Sequence, residues 1–205
     1  MSEAGFSFLL APGAGAPSSH PRMHDLARLL ASFGSVETFD YPYLLAGRKR
    51  PDPLPQLIAA HRAALLRLAG ESGKPVVLAG KSMGGRVGCH LALEARVAGL
   101  ICFGYPLCGA GDRAKLRDQV LIDVRTPILF VQGAKDNLCP LDLLESVRKK
   151  MTARSQLHVV SGGDHSLVVS KTELKAKGLS QQEVDLEIGQ GVAAFLQTIR
   201  RLPSA

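Results

Sequence analysis

Six short, mostly apolar runs punctuate the chain, and stretches of helical spacing separate them. The runs are residues 6–10 (FSFLL), 35–42 (SVETFDYP), 75–80 (PVVLAG), 98–106 (AGLICFGYP), 127–133 (PILFVQG) and 155–160 (SQLHVV). Nearly all are apolar throughout rather than alternating, so each reads as a strand covered on both faces. Strands joined through helices pair in parallel. The expected fold is therefore α/β, with about six mostly parallel strands, helices on both faces and no large cap domain. Helices are predicted over 20–33, about 54–70, 86–97, 140–151 and 181–200, the last weakened by Gly189 and Gly191. Residues 43–53 read as a long polar loop, 107–126 as a less regular segment, and the chain from 161 to about 180 as a loop followed by a polar stretch. No internal repeat, low-complexity tract or linker breaks this pattern. A length of 205 residues suits one domain over 1–205, and 46% apolar residues suffice for its core.

The chemistry enters at residues 78–85, LAGKSMGG. Gly80-Lys81-Ser82 resembles the end of a phosphate-binding loop. That loop needs a glycine five residues earlier, where this chain has Pro75. The residues between are a strand, and a strand cannot also be the loop that points N–H groups at phosphates. The same facts favour G-x-S-x-G, Gly80 to Gly84. A strand enters, the chain turns sharply at Ser82, and a helix leaves. Glycines two before and two after the serine relieve crowding at this nucleophile elbow.

A serine hydroxyl needs a base, and the base needs an orienting carboxylate. In such a fold both follow the serine, in loops at the C-terminal ends of later strands. Asp136 stands just past the fifth strand, in VQGAKDN. His165 stands just past the sixth, in SGGDHSL. Taken singly, an aspartate there reads as a turn residue and a histidine as surface. The ordered set Ser82, Asp136, His165 reads as a catalytic triad. His61 and His90 fall in helices and His158 in a strand, so none suits the base. His20 and His24 follow the first strand, within reach of the site mouth and a substrate, and read as surface residues. Asp164 adjoins His165 but points elsewhere. Cys139 lies near Asp136 with nothing to activate it. The developing oxyanion needs two donors. These are expected to be the backbone N–H of Met83 and, from the loop APGAGA, that of Ala14, with Gly13 and Gly15 shaping the loop.

With these residues placed, the chain resembles the α/β-hydrolase superfamily, and within it the small bacterial hydrolases of the testis-expressed protein 30 and KANSL3-like group. The matching stretches are LLAPGAGA, FDYPYLLAGRKRPD, LAGKSMGGRV, AGLICFGYPL, TPILFVQGAKD and GGDHSL. The resemblance implies a sheet ordered 2-1-3-4-5-6 and carries the triad onto Ser82, Asp136 and His165. One departure stands out. The family usually has histidine-glycine where this chain has Pro12-Gly13, and the resemblance implies that the side chain at 12 orients the oxyanion loop rather than reacting, so proline need not abolish activity.

Two further functions remain open beside a serine esterase or thioesterase. One is a binding or scaffold protein on the same fold, because the KANSL3-like relatives include a subunit of a chromatin-modifying complex. The other is nucleotide binding through Gly80-Lys81-Ser82. The net charge of +7 is scattered apart from Arg48-Lys49-Arg50, and no nucleic-acid-binding motif accompanies it. The segment YPYLLAGRKRPDP is the one most able to line the site rim, where its cations would favour acidic substrates. No run reaches membrane-span length. The N-terminus lacks the basic start of a secretory signal, and Glu3 stands where a positive charge belongs. Cys89, Cys102, Cys108 and Cys139 form no C-x-x-C or zinc pattern, which favours a reducing cytoplasm. The expected partner is a small-molecule acyl substrate, with no cofactor, metal, membrane or nucleic acid.

Overall fold

A single parallel sheet organises the computed structural model, which describes residues 5–109 and 112–202. Its strands are β1 (Phe6–Ala11), β2 (Gly34–Thr38), β3 (Val76–Lys81), β4 (Gly99–Phe103), β5 (Ile128–Gly133) and β6 (Ser155–Val160). They lie in the order β2-β1-β3-β4-β5-β6, and every neighbouring pair is parallel. The chain thus starts in the sheet, steps one way to β2, crosses back to β3 and continues outward. That reversal leaves a crevice at the C-terminal ends of β1 and β3, where open α/β sheets bind ligands.

Alternation along the strands sorts the core into two layers. Phe8, Leu10, Val77, Ala79, Ile101, Phe103, Leu129 and Val131 face α1 (Pro21–Ala31) and α8 (Gln181–Arg200). Leu9, Leu78, Leu100, Cys102, Ile128 and Phe130 face α3 (Leu54–Ser72), α4 (Met83–Leu91), α5 (Gln119–Asp123) and α6 (Leu141–Arg148). Both layers are buried apolar packing, which is why the strands read as continuous apolar runs. No inserted domain covers the C-terminal strand ends among the described residues.

Several boundaries differ from expectation, each for a local reason. The strand expected over 35–42 stops at Thr38, because Pro42 opens a short helix, α2 (Pro42–Leu45). The helix expected over 86–97 spans Met83–Leu91 instead. It begins directly after Ser82 and passes into turns beyond Leu91. Helix α5 and helix α7 (Lys171–Lys177) lie in the less regular segment and the polar stretch, where no helix is expected from the sequence. Ser170 caps α7 at its start, and Gly178 ends it with φ 64°. Helix α8 runs unbroken through Gly189 and Gly191. A Cβ at Gly191 would lie 2.7 Å from the His158 ring, so this glycine lets the helix sit close on β6. No helix among the described residues is long and apolar enough to cross a membrane. Glu3, on which the secretory-signal argument leaned, lies outside the described residues.

Candidate active site

Strand β3 delivers Ser82 into a turn too tight for ordinary backbone. Ser82 has φ 51° and ψ −115°, a conformation that costs a non-glycine residue about 1–3 kcal/mol. The neighbouring glycines make the turn sterically feasible. A Cβ at Gly80 would lie 2.2 Å from the Gly85 nitrogen, and one at Gly84 would lie 2.5 Å from the Ala11 carbonyl oxygen. Helix α4 and the end of β1 therefore meet at backbone contact. The turn lifts the Ser82 side chain to the C-terminal edge of the sheet.

Two other strand ends converge on it. Ser82 Oγ lies 2.8 Å from His165 Nε2, and His165 Nδ1 lies 2.7 Å from Asp136 Oδ2. His165 reaches this position over Gly104, where a Cβ would lie 2.5 Å from the His165 carbonyl oxygen. The Asp136 side chain is fully buried. Its Oδ1 accepts a bond of 2.8 Å from the Leu138 N–H, and its Oδ2 accepts a second bond, from Gln132 Nε2. An ionised carboxylate is acceptor-only, so His165 Nδ1 must donate. That leaves Nε2 as the acceptor facing the Ser82 hydroxyl.

Gln132 was invisible in the sequence as a site residue. It is the fully buried polar residue of β5, and its Oε1 accepts a bond of 3.0 Å from the Tyr105 N–H. That bond fixes the amide so that its NH₂ faces Asp136. A glutamine in an otherwise apolar buried strand, four residues before a candidate acid, is the signal that could have found it.

The loop bearing His165 is held from outside the sheet. Asp164 turns its carboxylate onto the N–H groups of Ser166 and Val168, at 2.7 and 3.0 Å, and so caps its own loop. Leu167 is buried at φ 63°, which a leucine rarely adopts. Arg22 donates to the carbonyls of Ser166 and Leu167, and it pairs with Asp185 of α8 at 2.7 and 2.9 Å. Sequence reading did not single out Arg22 or Asp185.

The loop after β1 faces Ser82 from the other side. The N–H groups of Ala14 and Met83 have no hydrogen-bond partner among the described residues. The Tyr43 hydroxyl donates to the Ala14 carbonyl at 3.0 Å and lies 3.5 Å from that of Gly13. Peptide C=O and N–H groups point in opposite directions. Holding the Gly13 carbonyl toward Tyr43 thus turns the Ala14 N–H away from it. Pro12, where the resemblance implied a histidine, is buried. Tyr43 from α2 thus anchors this loop from outside it.

The remaining candidates separate cleanly. His61 is buried in α3 beside the Tyr41 hydroxyl at 3.2 Å, and burial pushes its imidazole down to about 3. His90 lies in α4 and His158 in β6. His20 caps α1, accepting from the Arg22 N–H, and lines a cleft of about 250 Å³ with Ala14, Lys81 and Ser82. His24 is exposed and does not line it. Cys139 is buried, which raises its thiol pKa and keeps it protonated. Lys81 ends a strand rather than a loop, so the phosphate-loop geometry is absent here. Arg48, Lys49 and Arg50 do not line the cleft. They border a separate surface hollow, where Arg48 pairs with Asp52 at 2.7 Å. No group of three or more metal-ligating side chains occurs among the described residues.

A family model described as an alpha/beta hydrolase domain matches residues 4–197. Among solved structures, the chain is similar to a lidless α/β serine hydrolase from Xanthomonas campestris, at 16% identity over 98% of this chain and 84% of that one, with a TM-score of 0.72. It is also similar to an α/β serine hydrolase homologue from Coxiella burnetii, at 17% identity over 99% and 87% of the two chains, TM-score 0.67. A cold-adapted esterase from an Arctic intertidal metagenomic library matches at 20% identity over 91% and 82%, TM-score 0.62. At these identities the likeness establishes the fold.

Proposed function

The chain belongs to the alpha/beta hydrolase domain family, and from that premise we propose that it is a serine hydrolase cleaving ester or thioester bonds of a small acyl substrate. The observation that carries the proposal is the line from Ser82 Oγ through His165 to Asp136, at 2.8 and 2.7 Å. His165 Nε2 takes the hydroxyl proton as Oγ bonds to the acyl carbon. The N–H groups of Met83 and Ala14 receive the oxyanion. The carbon–oxygen or carbon–sulfur bond then breaks, and His165 returns the proton to the departing alcohol or thiol. A water attacks the acyl-enzyme with His165 again as base, releasing the acid. Asp136 holds the imidazole and balances its charge. These steps need no cofactor or metal.

The reading extends to one domain over the whole chain, a place in the testis-expressed protein 30 and KANSL3-like group, and a cytoplasmic location. The last is supported by four cysteines that are all free and buried.

The test is intact-mass analysis after a fluorophosphonate probe. One adduct is expected on the wild type, none on Ser82→Ala, and much slower labelling on His165→Ala. A folded wild type that stays unlabelled would overturn the proposal and favour a binding role on the same fold. A second prediction concerns the loop anchor. Tyr43→Phe removes the hydroxyl from the Ala14 carbonyl and should lower kcat about tenfold, the worth of one hydrogen bond, with KM little changed. A rise in KM at constant kcat would instead assign Tyr43 to substrate binding.

A further inference from the structure

Lys81 precedes the nucleophile, and the steps above give it nothing to do. It ends β3 on the face shared by Val77 and Ala79, so its side chain rises toward the start of α1. The stem runs along the loop after β1, where a Cβ at Gly13 would lie 3.6 Å from Lys81 Cγ. Lys81 lines the 250 Å³ cleft beside Ser82, Ala14, His20, Arg22 and Ser166.

The charges around that cleft are already satisfied, with one exception. Arg22 is committed to Asp185 and to two carbonyls of the His165 loop. Asp164 caps its own loop, and Asp136 accepts from His165, Gln132 and Leu138. The Lys81 ammonium makes no hydrogen bond or ion pair with any described residue. Burial is the main cause that lowers its ammonium to about 8. Asp136 and Asp164 oppose that shift from a distance, and Arg22 adds to it.

A half-buried, unpaired ammonium costs the fold stability, and nothing in β3 requires a charge at its end. Water in the open cleft keeps that cost bearable. A neutral ester filling the cleft would displace this water and strand the ammonium. A carboxylate on the ligand would restore a charge-assisted hydrogen bond. We propose that Lys81 is an anion subsite next to Ser82, selecting substrates that carry a carboxylate close to the scissile ester. That the ligand is an ester rests on the serine hydrolase reading; the anion subsite itself does not.

The carboxylate could sit on the acyl chain or on the alcohol, so two probes are used. One is the monophenyl ester of glutaric acid, the other 4-acetoxybenzoate, each compared with its neutral primary amide. Binding is measured by calorimetry on Ser82→Ala protein, which isolates recognition from turnover. At least one carboxylate should bind about 10- to 100-fold more tightly than its amide, the range for a hydrogen bond to a charged group. Lys81→Met or Lys81→Gln, added to Ser82→Ala, should bring that ratio near one. The probe that shows the preference identifies the side of the ester that carries the acid.

The ratio should fade as pH rises through about 8, because the ammonium loses its proton there while the carboxylate stays charged. Neither carboxylate outbinding its amide, a ratio that survives in both Lys81 variants, or one that stays flat from about pH 6 to pH 10 would overturn the subsite. Turnover of the same probes by the wild type separates the two readings. A carboxylate preference in binding without turnover keeps the subsite and sinks the hydrolase. Turnover of acids and amides without preference does the reverse.

Discussion

Asp136→Asn is expected to lower kcat by about 10⁴-fold on any ester the wild type cleaves, with little change in fold. The reason lies in the donors around the carboxylate. Asp136 Oδ2 faces two of them, His165 Nδ1 and Gln132 Nε2, and Oδ1 faces the Leu138 N–H. An asparagine must put an NH₂ at one of these positions. The Leu138 contact is a backbone N–H and cannot reverse, so the amide oxygen stays there. The NH₂ then meets His165 and also the NH₂ of Gln132, whose orientation the Tyr105 N–H fixes; the imidazole answers by moving its proton to Nε2, while the donor–donor contact with Gln132 lowers the melting temperature somewhat. A protonated Nε2 cannot take the Ser82 proton, so attack stalls although every atom is near its place. The measurement is kcat beside a thermal melt and fluorophosphonate labelling. Activity within tenfold of wild type would mean that His165 does not depend on Asp136 for its tautomer, and the proposed mechanism would fail.

The same network marks the limit of what the sequence could say. Ser82, Asp136 and His165 were legible as candidates because each sits just past a strand, and parallel strands bring their C-terminal ends together whatever the intervening chain does. The strand order rested on resemblance and is the one the sheet has. What stayed hidden depends on side chains meeting across the sheet. Gln132 read as part of a buried strand, and only the fold shows its amide turned to Asp136. Arg22 and Asp185 stand 163 positions apart, on helices whose spacing says which face is apolar but not which polar ends meet. Tyr43 was assigned to a loop, because a four-residue helix has too few positions to display a period. Its hydroxyl nevertheless reaches the loop that follows Pro12 and bonds the Ala14 carbonyl there. The basic triplet at 48–50 misled for the opposite reason. It is conspicuous in sequence, yet it borders a different hollow, while the single Lys81 stands beside the serine.

Gly84→Ala should produce the second large loss, for a reason that needs no assumption about substrate. Its Cβ would lie 2.5 Å from the Ala11 carbonyl oxygen and 2.6 Å from that of Pro12. Both are backbone atoms, so no side chain can swing aside. Either the start of α4 retreats or the end of β1 does. The first movement displaces the N–H of Met83, and the second displaces that of Ala14. Losing one oxyanion donor costs about 10²–10³ in kcat, and a shift of an ångström in such a site costs about as much. We expect a fall of that size, with a stability loss of about 1–3 kcal/mol from overpacking. Fluorophosphonate labelling should slow in parallel, since the phosphonyl oxygen needs the same two donors. Gly70→Ala supplies the contrast. Gly70 lies in α3 with nothing within 4 Å of an added Cβ, so that change should stabilise by about 0.5–1 kcal/mol. If Gly84→Ala instead melts and labels like the wild type, the contact between α4 and β1 does not set the oxyanion geometry. The assignment of Met83 and Ala14 as donors would then have to be abandoned.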